Sequence, residues 1–135
     1  MTAPTEEKHS TTILVIDDQP FFITMLQNVL QAQGYRVVAA SNGDDGLAQA
    51  RKHKPDAILL DIEMPGKDGF TVCRALKQDA MLKHIPVIIL TATQDAKLNE
   101  KAFQAGAAIT ATKSMAGERL LNTLNLTLKQ VKHSD

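Results

Sequence analysis

Five short apolar runs, each followed by a segment with helical spacing, constrain the fold of this chain more than any other feature. Runs that are apolar throughout are typical of parallel strands buried on both faces of a sheet. Five such units are too few for an eight-stranded barrel, so the pattern predicts an open, doubly wound α/β sheet. The predicted strands are Thr12 to Asp17, Arg36 to Ser41, Asp56 to Asp61, Ile85 to Thr91 and Ala107 to Thr112.

The segments between the strands contain the signals that start and stop helices. Pro20 suits the first turn of a helix, where its missing N–H costs nothing, and Asn42 suits a cap. The first predicted helix follows Pro20, and the last begins near Ser114. The three between them run from Asp44 to about Lys54, from Asp68 to about Asp79 and from Asp95 to Ala105. Phe21 and Phe22 are predicted to pack in the core and the first turn.

The last helix has an apolar stripe at helical spacing that predicts which of its faces is buried. Leu126 falls nearly opposite this stripe on a helical wheel, so we expect its side chain to be exposed. The stripe consists of Leu120, Leu121, Leu124, Leu128 and Val131.

Length and composition indicate one ordinary globular domain. The chain has 135 residues, and its 15 basic residues balance 15 acidic ones, which gives no electrostatic reason to expect direct binding of nucleic acid or a membrane. Cys73 is the only cysteine, and no apolar run approaches the ~20 residues that span a bilayer. We therefore expect a cytoplasmic protein with a polar tail over 1–11, a domain over 12–132 and a short tail over 133–135.

Three acidic residues are placed at the ends of predicted strands. Asp17 and Asp18 close the first strand, and Asp61 closes the third. The carboxyl ends of parallel strands meet at one edge of a sheet, so these carboxylates should lie together. Clustered like charges need a cation or shared protons, which predicts a site for a hard divalent metal such as Mg²⁺. Asp17 or Asp18 alone would be explained as a helix cap, but the two adjacent acids together with Asp61 favour the metal site.

Two further polar residues reach the same edge. Thr91 ends the fourth strand and Lys113 follows the fifth. A carboxylate nucleophile, a metal, a hydroxyl and an ammonium are the groups needed to handle a phosphoryl group, because that chemistry depends on positioning and charge neutralisation.

These motifs, in this order, closely resemble the receiver domain of bacterial two-component response regulators. The matching segments are Leu14 to Asp18, Leu59 to Gly69, Ile88 to Ala92, and Gly106-Ala107 leading to Lys113. The resemblance covers about Thr12 to Val131. It implies a flavodoxin-like (βα)5 fold with a five-stranded parallel sheet in the order 2-1-3-4-5.

The resemblance also implies roles for the residues at the sheet edge. Asp61 would accept a phosphoryl group from a phosphohistidine on a sensor histidine kinase. Asp18 would bind Mg²⁺ directly and Asp17 through water, while Asp61 and the backbone carbonyl of Glu63 complete the protein ligands. No organic cofactor is implied.

Two other residues of the edge would respond to the phosphoryl group. Lys113 would pair with the Asp61 carboxylate and then with the phosphoryl oxygens. Thr91 would donate its hydroxyl to the phosphoryl group and so report its presence. The protein would not be an enzyme in its own right, since it would catalyse only its own phosphorylation and dephosphorylation.

Two positions depart from the pattern of the family. Thr110 stands where receivers usually have Tyr or Phe, and Ser114 stands where a proline usually follows the lysine through a cis bond. Because a cis bond before a non-proline residue costs ~3–4 kcal/mol, we expect the Lys113–Ser114 bond to be trans. Phosphorylation should survive both changes, but the signal must reach its output surface in another way.

The chain ends soon after the fifth helix, so we expect a receiver without an attached output domain. It would signal through contacts with a downstream protein, or hand its phosphoryl group to a histidine phosphotransfer protein in a phosphorelay. A homodimer through the face made by the fourth helix, fifth strand and fifth helix is a further expectation, with Leu126 as an apolar contact.

Two functions of other classes share parts of this pattern. A phosphatase of the haloacid-dehalogenase type also uses an Asp at a strand end, and Asp61-Ile62-Glu63 is similar to its signature. That class normally has a cap insertion, for which there is no room, and does not need the Asp17-Asp18 pair. A flavin-binding flavodoxin relative would need a first loop that holds phosphate, whereas Asp17-Asp18-Gln19-Pro20 would repel it.

Overall fold

The architecture is a five-stranded parallel sheet covered by helices on both faces. The computed structural model describes residues 11–93, 95–115 and 117–134. The strands lie in the order β2-β1-β3-β4-β5, which confirms the predicted doubly wound, flavodoxin-like (βα)5 fold. Their bounds are β1 Thr12–Ile16, β2 Arg36–Ala40, β3 Ala57–Asp61, β4 Val87–Thr91 and β5 Ile109–Thr112.

Each strand is followed by a helix that returns the chain to the other end of the sheet. The helices are α1 Pro20–Ala32, α2 Gly43–His53, α3 Gly69–Gln78, α4 Ala96–Gln104 and α5 Glu118–Ser134. Pro20 begins α1, as predicted. Side-chain caps begin three other helices, because Asn42, Asp68 and Asp95 each accept a hydrogen bond from the backbone N–H three residues on. Asp68 and Asp95 are therefore caps rather than the first helical residues.

The alternation of side chains along the strands divides the core between the two faces of the sheet. Residues such as Leu14, Ile58 and Ile89 pack with α2, α3 and α4 on one face. Their neighbours Ile13, Leu59 and Ile88 pack with α1 and α5 on the other face. The central strands β3 and β4 are buried along their whole length, so both faces are covered as the apolar runs predict.

The connection between β5 and α5 differs from the prediction. A single 3-10 turn, Lys113–Met115, comes first, and α5 begins only at Glu118 rather than near Ser114. Gly117 has φ +108, a left-handed conformation that lies outside the helical region and that favours glycine. The Lys113–Ser114 bond is trans, as predicted, and the hydroxyls of Thr112 and Ser114 lie 2.8 Å apart across it.

Two aromatic residues at the start of α1 behave differently. Phe22 is buried in the core with α5, as predicted, but Phe21 is 84% exposed, so its predicted packing was wrong. Neighbouring helical residues point about 100° apart, which leaves only one of the two facing the sheet.

The buried and exposed faces of α5 agree with those predicted by the helical wheel. Leu120 and Leu124 are buried, Leu121 and Leu128 are partly buried, and Leu126 is 61% exposed. The side chain of Val131 and residues 1–10 of the predicted tail over 1–11 lie outside the described residues. Within the described part of the chain, no helix combines the length and apolar character that crossing a membrane requires.

Candidate functional site

The register of the sheet brings the three predicted acids together. Ile16 of β1 pairs with Leu60 of β3, so the residues that follow them, Asp17 and Asp61, lie side by side at the carboxyl edge of the sheet. One carboxylate oxygen from each of Asp17, Asp18 and Asp61 can be chosen so that all lie within 4.8 Å of one another. The structure therefore confirms that the strand ends form an acidic pocket, as the sequence predicts.

Asp61 is one of the two buried carboxylates of the pocket, and Asp17 is the other. Asp61 is 2% exposed, and its Oδ1 accepts a hydrogen bond of 3.1 Å from the backbone N–H of Glu63. Burial raises the pKa of the Asp61 carboxyl. The hydrogen bond from the Glu63 N–H lowers this pKa, the charge of Asp17 raises it, and the charge and hydrogen bond of Lys113 lower it. A buried carboxylate with a perturbed pKa beside a cation is typical of a functional site.

Asp17 is held from two sides. Its Oδ1 accepts a hydrogen bond of 2.9 Å from the backbone N–H of Gln19, and its Oδ2 lies 2.9 Å from the Nζ of Lys113. The second contact is an ion pair without hydrogen-bond geometry, so within the described residues Oδ2 accepts no hydrogen bond. A buried carboxylate oxygen in this situation is well suited to accept a cation.

Asp18 completes the acidic set and is more open to solvent than the other two. Among the residues that the structure describes, its carboxylate is in no hydrogen bond or ion pair. The pocket holds three carboxylates against the single ammonium of Lys113, so charge alone favours a further cation. Carboxylate oxygens are the ligands of hard divalent ions, and these residues therefore fit Mg²⁺.

Lys113 lies at the centre of the pocket, directly after β5. Its Nζ is 2.9 Å from Asp17 Oδ2 and 3.5 Å from Asp61 Oδ2, and it donates a hydrogen bond of 2.9 Å to the Oε1 of Gln19. It also lies 4.6 Å from the centre of the Phe22 ring, within the range of a cation–π contact. The predicted pairing of Lys113 with Asp61 is thus accompanied by three contacts that the sequence did not reveal.

Gln19 and Phe22 are the site residues that sequence reasoning missed. Phe22 was predicted to pack in the core, and Gln19 was considered only as part of the loop Asp17-Asp18-Gln19-Pro20. A signal was available, since Pro20 fixes the start of α1 and so places residue 19 at the carboxyl edge of the sheet, beside the acids. No local pattern, however, links either residue to Lys113, which is 94 residues away from Gln19 along the chain.

Thr91 lies on the strand next to Asp61. Asp61 pairs with Leu90 in the β3–β4 register, so Thr91 is one residue further toward the pocket edge. It is 1% exposed, and its hydroxyl donates a hydrogen bond of 2.9 Å to the carbonyl of Thr93. Thr91 is therefore bonded to the loop that follows its own strand, and its predicted contact with a phosphoryl group stays a prediction.

Gly69, at the start of α3, approaches the backbone of Asp61 so closely that only glycine fits. A Cβ placed there would lie 2.4 Å from the Cα of Ile62 and 2.6 Å from the carbonyl oxygen of Asp61. Its N–H donates to the Ile62 carbonyl at 3.2 Å, which closes the loop containing Glu63. This loop presents the Glu63 backbone to the pocket, although the predicted use of its carbonyl as a metal ligand stays a prediction.

Comparison with known proteins supports the same conclusion as the geometry. Residues 13–125 match the family described as the response regulator receiver domain. The chain is 43% identical to protein PilH of Pseudomonas aeruginosa over 117 residues, which cover 86% of this chain and 96% of PilH. It is also 43% identical to the response regulator PleD of Caulobacter vibrioides, over 77% of this chain but only 23% of PleD.

A solved structure agrees with the fold in detail. The chemotaxis protein CheY4 of Vibrio cholerae superposes with a TM-score of 0.82 at 30% identity, covering 85% of this chain and 96% of that one. The family match spans most of the strands and helices described above, including every residue of the acidic pocket. The chain belongs to the response regulator receiver domain family.

Proposed function

We propose that this protein is a response regulator that accepts a phosphoryl group from a sensor histidine kinase on Asp61 in a Mg²⁺-dependent reaction. The observation that supports it most is the pocket in which Asp17, Asp18 and Asp61 lie together and the ammonium of Lys113 pairs with Asp17 and Asp61. Asp61 is proposed as the acceptor because of its position in the receiver pattern, and it is buried between a backbone N–H donor and Lys113.

In the proposed reaction, a carboxylate oxygen of Asp61 forms a bond to phosphorus while the P–N bond of the phosphohistidine breaks. The electron pair of that bond returns to the imidazole, and Asp61 becomes an acyl phosphate. Mg²⁺, held by Asp17, Asp18, Asp61 and the Glu63 carbonyl, would neutralise charge on the phosphoryl oxygens. Lys113 would pair with the same oxygens, and the hydroxyl of Thr91 would turn from Thr93 to donate to them.

The direct test is exposure of the purified protein to acetyl phosphate with and without Mg²⁺, followed by intact mass. The proposal expects one added phosphoryl group per chain, only when the metal is present. Labelling that is equal in the presence of a chelator would contradict the proposed site. Release of phosphate from a simple phosphate ester with turnover would instead favour the phosphatase alternative, which none of the relatives described above supports.

What the phosphorylated protein then contacts is a separate proposal. We propose that it acts by binding a downstream protein, with transfer to a histidine phosphotransfer protein as the alternative that uses the same pocket. The cytoplasmic location, the division into a domain over 12–132 and two tails, and the absence of other enzymatic activity stay predictions.

Glu63 is expected to set the lifetime of the acyl phosphate. Its side chain is exposed, and its backbone N–H is hydrogen-bonded to Asp61, so the residue lies beside the proposed acceptor. Because a carboxylate there orients water or repels the phosphoryl group, we expect Glu63→Ala, Glu63→Gln and Glu63→Lys to shift the dephosphorylation rate several-fold. The loss of the phosphorylated species with time, followed by intact mass, measures the dephosphorylation rate.

Glu100→Ala is the matched control for this experiment, since Glu100 is an exposed acid on α4, outside the pocket. It should leave the decay rate unchanged. A decay rate that is the same in wild type and in all three Glu63 variants would refute the role of this side chain.

The proposed homodimer would use the face made by α4, β5 and α5. Each of these elements exposes one large apolar side chain, Phe103, Ile109 and Leu126 respectively. We expect wild type to self-associate more after phosphorylation, and Leu126→Glu to remove this increase without loss of labelling or folding. Light scattering before and after acetyl phosphate measures the change.

Met81→Glu provides the control for an added charge at an exposed apolar residue, because Met81 is 60% exposed and lies between α3 and β4. It should self-associate like wild type. Equal self-association of Leu126→Glu and wild type, or a wild type that stays monomeric when phosphorylated, would contradict the dimer.

A further inference from the structure

Gln19 contacts one negative and one positive group of the acidic pocket, Asp17 and Lys113. Its backbone N–H donates to Asp17 Oδ1 at 2.9 Å, and its side-chain Oε1 accepts from Lys113 Nζ at 2.9 Å. Gln19 is also the N-cap residue of α1, but its side chain makes no capping hydrogen bond. The amide is therefore used for the lysine and not for the helix, since glutamine is not one of the short polar residues that usually cap helices.

The position of Lys113 is asymmetric between the two buried carboxylates. Its Nζ lies 2.9 Å from Asp17 Oδ2 but 3.5 Å from Asp61 Oδ2. The ammonium is thus closest to the buried Asp17 oxygen that otherwise accepts no hydrogen bond within the described residues. A divalent cation in the pocket would need oxygens of this kind, and it would be repelled by an ammonium that occupies one of them.

We propose that Gln19 is a positioning residue that holds Lys113 against Asp17 and so lowers the affinity of the pocket for Mg²⁺. The inference rests on the proposed function, since it concerns the metal and lysine of that same site. Gln19 is exposed at the mouth of the pocket, whereas the carboxylates of Asp17 and Asp61 are buried. Its hydrogen bond draws the ammonium away from Asp61, and losing the bond frees Lys113 to move when a cation enters.

The test measures binding of Mg²⁺ alone by isothermal titration calorimetry, with no phosphoryl donor. Gln19→Met keeps the length of the side chain and removes the acceptor, so the affinity should rise roughly three- to tenfold, as expected for loss of one hydrogen bond to a charged group at a solvent-exposed edge. Gln19→Asn keeps an amide but is one methylene shorter, so it should lose the reach to Lys113 and raise the affinity as well.

Gln31→Met is the matched control, because Gln31 is an exposed glutamine on the same helix. It should bind Mg²⁺ like wild type. Thermal unfolding of each variant verifies that the comparison is between folded proteins.

A double-mutant cycle tests whether Gln19 acts through Lys113. In a Lys113→Ala background, Gln19→Met should leave the affinity for Mg²⁺ unchanged, because no ammonium remains to be held. An equal rise in both backgrounds would overturn the proposal, and so would an unchanged or lower affinity of Gln19→Met in the wild-type background. A wild-type protein that binds no Mg²⁺ would overturn the proposed metal site and this inference together.

Discussion

Asp61→Asn is expected to abolish labelling of the protein by acetyl phosphate in the presence of Mg²⁺. The amide has the shape of the carboxylate but is a far poorer nucleophile, and it removes one of the three charges that the pocket offers a cation. Intact mass after incubation measures the added phosphoryl group. We expect complete loss, since Asp61 is the one proposed acceptor, and its carboxylate is held between the Glu63 N–H and Lys113.

Asp68→Asn is the control for this result. Asp68 caps α3 by accepting a hydrogen bond from Thr71, and asparagine caps a helix equally well. The same chemical change outside the pocket should therefore leave labelling intact. Undiminished labelling of Asp61→Asn would mean that another residue is the acceptor.

Asp18→Ala is expected to cause the second large effect, a severe loss of Mg²⁺ affinity. Within the described residues its carboxylate has no partner that would hold it away from a cation, so it is free to be a direct ligand. Removing an outer-shell partner already costs a metal site roughly 10- to 100-fold, and removing a ligand should cost at least as much. Titration calorimetry measures the change.

Asp44→Ala removes a charge elsewhere and serves for comparison. Asp44 is exposed and pairs with Lys67 at 2.8 Å, away from the acidic set. If both variants bound Mg²⁺ like wild type, Asp18 would not be a ligand. If both lost affinity equally, net charge and not coordination would explain the effect.

The fold was predictable because the hydrophobic pattern and the position of the acids agree. Uniformly apolar runs have few alternatives to buried parallel strands, and the strand-end rule then places Asp17, Asp18 and Asp61 together. The strand order came from the resemblance to a family and not from the pattern, since several orders bury the same residues. The strand-end rule placed Lys113 at this edge, while its pairing with Asp61, observed at 3.5 Å, was implied by the resemblance.

The parts that could not be predicted depend on contacts between distant segments. The 3-10 turn before α5 lies between Lys113, which reaches the pocket, and Gly117 with its left-handed conformation, and neither feature follows from helical spacing. The hydrogen bond of Gln19 depends on side-chain directions across the sheet edge. Phe21 was misplaced because an apolar pair at the start of a helix does not reveal which member faces inward.

The ring of Phe22 contacts both the hydrophobic core and the acidic pocket. It is packed in the core between α1 and α5, and it lies beneath the ammonium of Lys113. If α1 opens locally, the lysine loses both this ring and the neighbouring amide of Gln19. Hydrogen exchange of α1 should therefore report how often Lys113 is released from these contacts, and a core mutation that speeds such opening would change Mg²⁺ binding in a protein that is still largely folded.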